Sequence, residues 1–204
     1  MDDVWTVEPY RGDRRVIGAL LGRAFRDDPL TVAVGGAEPR RRELWSIHEM
    51  TWLADAALRR GYVDVVRHRG EVIAAALTFG PAARAVQGLG CLFGPVRADE
   101  PGAAIRYARW LAFQRARRPR APHVYFPIRG GAAAYHGVGA TSALMRAVLR
   151  RVDEAGLPIY AEIDSPVGRR FVEKHGFVVE DESTLPGLPA VRVCWARRPA
   201  SGAG

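Results

Sequence analysis

The stretch Tyr135-His136-Gly137-Val138-Gly139-Ala140-Thr141-Ser142 stands between a β-like run and an amphipathic helical run, and no other segment constrains the fold as much. Upstream, His123-Val124-Tyr125-Phe126-Pro127-Ile128 is rich in aromatic and β-branched residues, with Pro119 and Pro122 before it and Gly130-Gly131 after. That pattern predicts a strand entering a glycine turn. Downstream, Leu144, Met145, Val148, Leu149 and Val152 recur at helical spacing, and Arg146, Arg150, Arg151, Asp153 and Glu154 take the other side until Gly156 and Pro158. This predicts a helix packed on a sheet. A turn that opens a helix leaves its first N–H groups without intrahelical acceptors, and the helix dipole adds partial positive charge there, so an anion is favoured. Gly137 and Gly139 lack the side chains that would hold a diphosphate away from the backbone. The competing reading is an ordinary βα turn of small residues.

A second strand and helix follow in register with the first. Leu157 to Ile163 reads as a strand, Asp164-Ser165-Pro166 as a helix start, and His175-Gly176-Phe177 as its end, with Phe177-Val178-Val179 opening another strand. Pro166 suits a first helical turn and Gly176 a left-handed C-terminal cap.

In order and spacing, residues 123 to 195 resemble the GNAT superfamily of acyl-CoA N-acyltransferases, whose diagnostic pieces are a strand, a Gln/Arg-x-x-Gly-x-Gly/Ala turn, a helix, a strand, and a helix ending in Gly-Phe. Within it the likeness is nearest to small-molecule acetyltransferases of the puromycin N-acetyltransferase kind, through the Pro122-His123 entry to the strand. The tail Leu185-Pro186-Gly187-Leu188-Pro189 leading to Val191-Arg192-Val193-Cys194-Trp195 carries the same likeness. The resemblance covers the C-terminal half well and the N-terminal half loosely. It implies an α/β protein (α+β, mixed sheet), with a central mixed β-sheet flanked by helices. It also implies one domain over residues 1–198 with a loose tail at 199–204.

The resemblance further implies direct transfer of an acyl group, most simply acetyl from acetyl-CoA or another acyl-CoA, to an amine of a small molecule. Backbone groups around Arg129, Gly130 and Gly131 would take the pantetheine arm; His136, Gly137, Val138, Gly139, Ala140, Thr141 and Ser142 would hold the diphosphate, with Gly168 and Phe171 beside the cofactor. His136 stands where the family has Gln or Arg, and Thr141 where it has Gly or Ala. Gly168 stands for an Asn common in relatives, and Val172 for the tyrosine that usually gives a proton to the CoA sulfur. Valine cannot donate a proton. Tyr125, Tyr135, His136 and His175 are candidate replacements, with Tyr125 preferred because alternate strand residues face the cleft. Glu162, at a strand end, is a candidate proton acceptor, or else a carboxylate capping local backbone. His175 is expected to satisfy a helix C-terminus.

Composition agrees with one compact protein of 204 residues and 48% hydrophobic content. No apolar run reaches transmembrane length, Met1-Asp2-Asp3 does not begin a secretory signal, and Cys91 and Cys194 lie far apart, so a reduced cytoplasmic setting is expected. Lys174 is the only lysine among 30 basic residues, and with abundant Ala, Gly and Pro this composition points to a GC-rich bacterial genome; the resemblance implies an acceptor from antibiotics or specialised metabolism. The net charge of +8 and the run Arg115, Arg117, Arg118, Arg120 raise nucleic-acid or membrane binding. The run ends an amphipathic stretch, Ala103 to Phe113, where arginines complement the dipole, so a solvated helix end is expected and neither nucleic acid nor membrane is. His48-Glu49 lacks the second histidine of a zinc-protease helix, and no metal is expected.

The N-terminal half predicts a strand at Val4 to Val7, helices over Arg15 to Phe25 and Leu44 to Leu58, and a hairpin of Tyr62 to Val66 with Val72 to Phe79 around Arg69-Gly70. The resemblance places Phe25 to Pro29 and Trp45 to Trp52 near the acceptor, where Asp27, Asp28 and Glu49 could hold a cationic amine. Its aromatic residues are expected mainly in the core. Arg84 to Gly94 and Ser183 to Gly187 read as loops, and an exposed final strand at Val191 to Trp195 could pair two subunits. Two alternatives stay open: the same fold with altered chemistry, such as acyl transfer from an acyl carrier protein, and a non-enzymatic basic adaptor.

Overall fold

A computed structural model describes residues 5–81, 101–185 and 187–200. Seven strands form one sheet: β1 (Thr6–Pro9), β2 (Gly61–His68), β3 (Glu71–Phe79), β4 (Val124–Gly131), β5 (Ile159–Ile163), β6 (Val178–Leu185) and β7 (Leu188–Arg198). Their spatial order is β1-β2-β3-β4-β5-β7-β6. Every neighbouring pair is antiparallel except β4 and β5, so the sheet is mixed. Helices α1 (Arg14–Ala24), α2 (Pro29–Gly35), α3 (Pro39–Arg60) and α4 (Pro101–Arg117) bring Ile17, Leu21, Val34, Trp45, Leu53, Tyr107 and Trp110 onto one face. Helices α5 (Ala140–Glu154) and α6 (Pro166–Lys174) bring Leu144, Met145, Val148 and Val172 onto the other.

Strand alternation explains how one sheet serves both layers. Along β3, Ala75, Leu77 and Phe79 join the first core while Ala74 and Ala76 join the second, and Ile73, the extra residue where the β2–β3 register shifts, is turned to the second core as well. Both faces are therefore dry, which is why β3 reads as a continuous apolar run.

Three features shape the middle of the sheet. The β3–β4 register shifts between Leu77, opposite Ile128, and Phe79, opposite Tyr125, so Phe126 and Pro127 share the space of one partner. Pro127 brings no N–H to the ladder and suits a bulge. Beyond it β4 continues where the sequence predicts a turn: Gly130 and Gly131 pair with Ala75 and Ala74. The glycine at 130 answers to packing, since a Cβ there would lie 3.0 Å from Phe25 and 3.1 Å from Leu21. Finally, β4 and β5 pair only at Val124 with Ile159 and Tyr125 with Tyr160, and then separate.

Other expectations are corrected by tertiary context. The first strand is Thr6–Pro9, and α2 starts at Pro29 with Asp28 at its N-cap, an element the apolar pattern does not announce. Helix α3 extends back to Pro39, where the Glu38 carboxylate accepts from the N–H groups of Arg40 and Arg41. Ser183 to Leu185 lie in β6, not in a loop. β7 runs between β5 and β6, so the final strand has no open edge for pairing with a second subunit. The segment Arg84 to Gly94 lies outside the described residues.

Candidate active site

Where β4 and β5 part, their facing edges and the start of α5 open into one cleft of about 770 Å3. Its walls include Phe126 to Gly131 of β4, Ala161 to Ile163 of β5, His136, Gly137 and Thr141 before and within α5, and Gly168, Phe171 and Val172 of α6. Asp28, Glu49, Met50, Trp110 and Gln114 close it from the α2–α3–α4 side. Residues from both halves of the chain thus meet in one space.

The turn before α5 has the geometry of an anion seat. Gly137 (φ 81°) and Gly139 (φ 90°) are left-handed, and a Cβ at either would meet no atom within 4 Å. Conformation selects glycine at both positions and leaves the space in front of the backbone open. Gly139 is the N-cap and provides no side-chain cap, and Ala143 N–H donates to its carbonyl at 3.0 Å. The amides before Ala143 therefore have no intrahelical acceptor, and the helix dipole adds partial positive charge there. Val138 is exposed, whereas Ala140, the first residue of α5, is buried; these two, Gly139 and Ser142 flank the seat without forming the cleft wall.

Tyr125 and Glu162, named from sequence, are in contact. The Tyr125 hydroxyl donates to Glu162 Oε2 at 2.6 Å, and Gln114 Nε2 donates to the same oxygen at 3.1 Å. Arg118 Nη2 lies 3.7 Å from Glu162 Oε1, and its guanidinium stacks 3.8 Å from the Tyr125 ring centroid. Burial raises the Glu162 pKa, against the pull of Arg118 and Tyr125, and burial together with Glu162 raises that of Tyr125. The expectation of a solvated arginine run after α4 fails at Arg118, whose side chain is only 15% exposed because Glu162 draws it inward.

The replacement donors separate cleanly. Tyr135 turns away toward the β2–β3 hairpin, its hydroxyl 3.2 Å from His68 Nδ1. His175 Nδ1 pairs with the Phe171 carbonyl at 2.7 Å, satisfying the end of α6 as expected. His136 lines the cleft. Val172 is 2% exposed and presents only methyl groups to the wall. At Gly168, a Cβ would lie 2.8 Å from Ile163 Cγ2 and 2.9 Å from Ser165 Oγ, so contact between α6 and β5 excludes a side chain there. Arg129 reaches across from β4, its Cζ 3.4 Å from the Phe171 ring centroid.

The acidic residues named for an amine divide in two. Asp27 reaches the cleft rim but is exposed and already paired with Arg42 (2.7 Å) and Arg26 (2.9 Å). Asp28 and Glu49 line the cleft and are joined by Asp164 at the end of β5, which sequence reasoning had read only as a helix start. Burial and the neighbouring Asp164 push Asp28 up to about 9. Burial, and to a lesser degree Asp164, pushes Glu49 up to about 7, although Tyr107 donates to it at 2.7 Å. Trp45 is core, 3% exposed, in keeping with its expected role.

No family model matches the chain, and no curated protein matches it. Among solved structures, the chain is similar to a histone acetyltransferase HPA2 and related acetyltransferase from Corynebacterium glutamicum (TM-score 0.65, 20% identity, 97% of each chain). It is similar to the C-terminal condensation domain of Ebony in complex with beta-alanyl-dopamine (TM-score 0.71, 12% identity, 96% of this chain and 98% of that one). It is also similar to an acetyltransferase of the GNAT family from Desulfovibrio desulfuricans (TM-score 0.57, 13% identity, 96% and 99%). With its mixed seven-stranded sheet, separated central strands and flanking helices, the chain has the fold of the GNAT acetyltransferases.

Proposed function

We propose that this protein is an acyl-CoA-dependent N-acyltransferase that moves acetyl from acetyl-CoA to an amine of a small molecule. The observation that carries the reading is the separation of β4 from β5 beyond Tyr125 and Tyr160, which lets one cleft run past unpaired strand backbone and the open amides of α5. An extended thioester arm can hydrogen-bond along β4 while its diphosphate takes the turn at residues 137–142.

The acceptor side is acidic. Asp28, Glu49 and Asp164 converge from three elements, favouring an amine that arrives as an ammonium ion. Attack needs the neutral amine, so a proton must first leave it. A carboxyl held near 7, as burial holds Glu49, is poised to take that proton at neutral pH. The amine nitrogen then bonds to the thioester carbonyl carbon, the carbon–sulfur bond breaks, and the thiolate takes a proton. Val172 cannot supply it, and the Tyr125–Glu162 pair is the hydrogen-bonded donor pair in the wall. The likeness of the tail to puromycin N-acetyltransferase-type enzymes agrees with a small-molecule acceptor.

Calorimetry with acetyl-CoA, followed by thiol release over a panel of primary amines, tests the proposal. Saturable binding with amine-dependent thiol release is the expected result, and absence of CoA binding at millimolar concentration overturns it. A second reading, acyl transfer from a carrier-borne pantetheine, draws on the apolar wall at Val172 and on the similarity to a condensation domain. Turnover with acyl-carrier protein but none with acetyl-CoA would select it.

A further inference from the structure

Arg129 is the one lysine or arginine among the described residues that line the cleft, and it shares that wall with Asp27, Asp28, Glu49, Glu162 and Asp164. Other partly buried arginines of the chain have found carboxylates. Arg42 takes Asp27, Arg118 takes Glu162, and Arg151 and Arg198 take Asp64 and Asp153 with two nitrogens each. Arg129 makes no hydrogen bond or ion pair among the described residues; its contact is the face of Phe171 at 3.4 Å. Burial alone brings its pKa down to about 10, with no neighbouring carboxylate to raise it.

A guanidinium carries five N–H donors around its edge and none on its face. Stacking on Phe171 uses the face and leaves the donor edge available, fixed in orientation by the ring and aimed from β4 across the gap toward α6. A partly buried cation without a counter-charge loses hydration for nothing in return, and a ligand that brings the anion offsets that loss. Pairs of oxygens on a carboxylate or a phosphate match the fork with two parallel hydrogen bonds.

We propose that Arg129 is the anion receptor of this cleft, taking phosphate or carboxylate oxygens of the bound ligand edge-on while stacked on Phe171. The inference rests on the acyl-CoA reading above and goes beyond it, because that reading uses only backbone groups on this strand. Two sources carry the required chemistry: the phosphates of CoA itself, and a free carboxylate on a dicarboxylic acyl group.

Calorimetric titration of the parent, Arg129→Gln and Arg129→Lys separates them, using CoA, pantetheine, acetyl-CoA, succinyl-CoA, inorganic diphosphate and succinate. Arg129→Gln is expected to weaken about tenfold or more the member of a pair that carries the recognised anionic group and to leave the member lacking that one group unchanged, with Arg129→Lys in between. Loss for CoA but not pantetheine assigns the phosphates; loss for succinyl-CoA but not acetyl-CoA assigns the acyl carboxylate. Equal loss for every ligand including pantetheine, or no loss for any, overturns the proposal. Should the parent ignore every CoA compound yet bind diphosphate or succinate through Arg129, the acyl-CoA reading fails and the receptor stands. Should it bind none of the six, both fail. Circular dichroism of Arg129→Gln checks that it folds, and Arg129→Lys, which keeps the charge, carries the test should it not.

Discussion

At the scale of single residues, partly buried arginines tie elements of this protein together across its apolar cores. Arg151 donates to both oxygens of Asp64, at 3.0 and 2.7 Å, and to Thr78 Oγ1, tying α5 to β2 and β3. Asp64 is 5% exposed on its side chain and Arg151 29%. Asp64→Ala is expected to cost about 2–3 kcal/mol, below the range for fully buried pairs because Arg151 keeps part of its hydration; urea denaturation measures it. The cleft acids act in the opposite sense. Asp28 and Glu49 hold their protons to about 9 and about 7, above the 3.8 and 4.5 of exposed carboxyls, chiefly through burial. The folded state therefore binds more protons than the unfolded one between those limits, so their contribution is fully present below pH 4 and lost as pH rises through the folded values. Asp28→Asn should match the parent in melting temperature near pH 4 and exceed it increasingly toward pH 9. A constant offset across that range would show that Asp28 does not titrate as its burial requires.

At the scale of elements, the entry to α5 is the most exacting piece of backbone. Ser165 caps α6 by accepting from Gly168 N–H at 3.1 Å and Glu38 caps α3, whereas α5 starts on a left-handed glycine with no side-chain cap. A helix start left uncapped forfeits about 1 kcal/mol of local stabilisation, which a bound anion can return. Gly139→Ala should cost about 1–2 kcal/mol from its positive φ, since the new Cβ meets no protein atom. It should also weaken acetyl-CoA by a further factor of about ten, because the methyl group enters the space proposed for the diphosphate. Paired thermal and calorimetric measurements test this, and a stability loss with unchanged affinity would move the ligand away from the turn.

At the scale of the whole molecule, α1 to α4 and α5 with α6 clamp the sheet from both faces, and the cleft lies where the two layers meet the central strands. A ligand spanning that seam binds the folded chain alone, so acetyl-CoA at a hundred times its dissociation constant should add about 2.7 kcal/mol. That corresponds to roughly 5–10 °C in melting temperature for a chain of this size. Differential scanning fluorimetry reads it directly. Pantetheine giving the same shift would deny the phosphates any part in binding.

The C-terminal half of the cleft was readable because its signals are local. Glycines at 137 and 139 need a backbone that other residues rarely adopt, and the apolar spacing from Leu144 to Val152 states which face of α5 is buried. The acceptor side was only partly readable. Asp28 and Glu49 could be named as acids, but their partner Asp164 lies far along the chain, and no periodicity reports that burial brings the three together. Arg118 misled for the same reason: a run of arginines after a helix looks solvated until a distant carboxylate on β5 is folded beneath it. What the sequence alone determined was the strand and helix pattern around the glycine turn before α5, which follows from short-range sterics and repeat spacing, while the mixed sheet with flanking helices came from the order of motifs that carries the resemblance. Where β4 and β5 separate, which carboxylates share the opening, and that Arg129 enters it with no ion pair among the described residues were decided by tertiary structure, because long-range packing sets the desolvation and charge neighbours of each group.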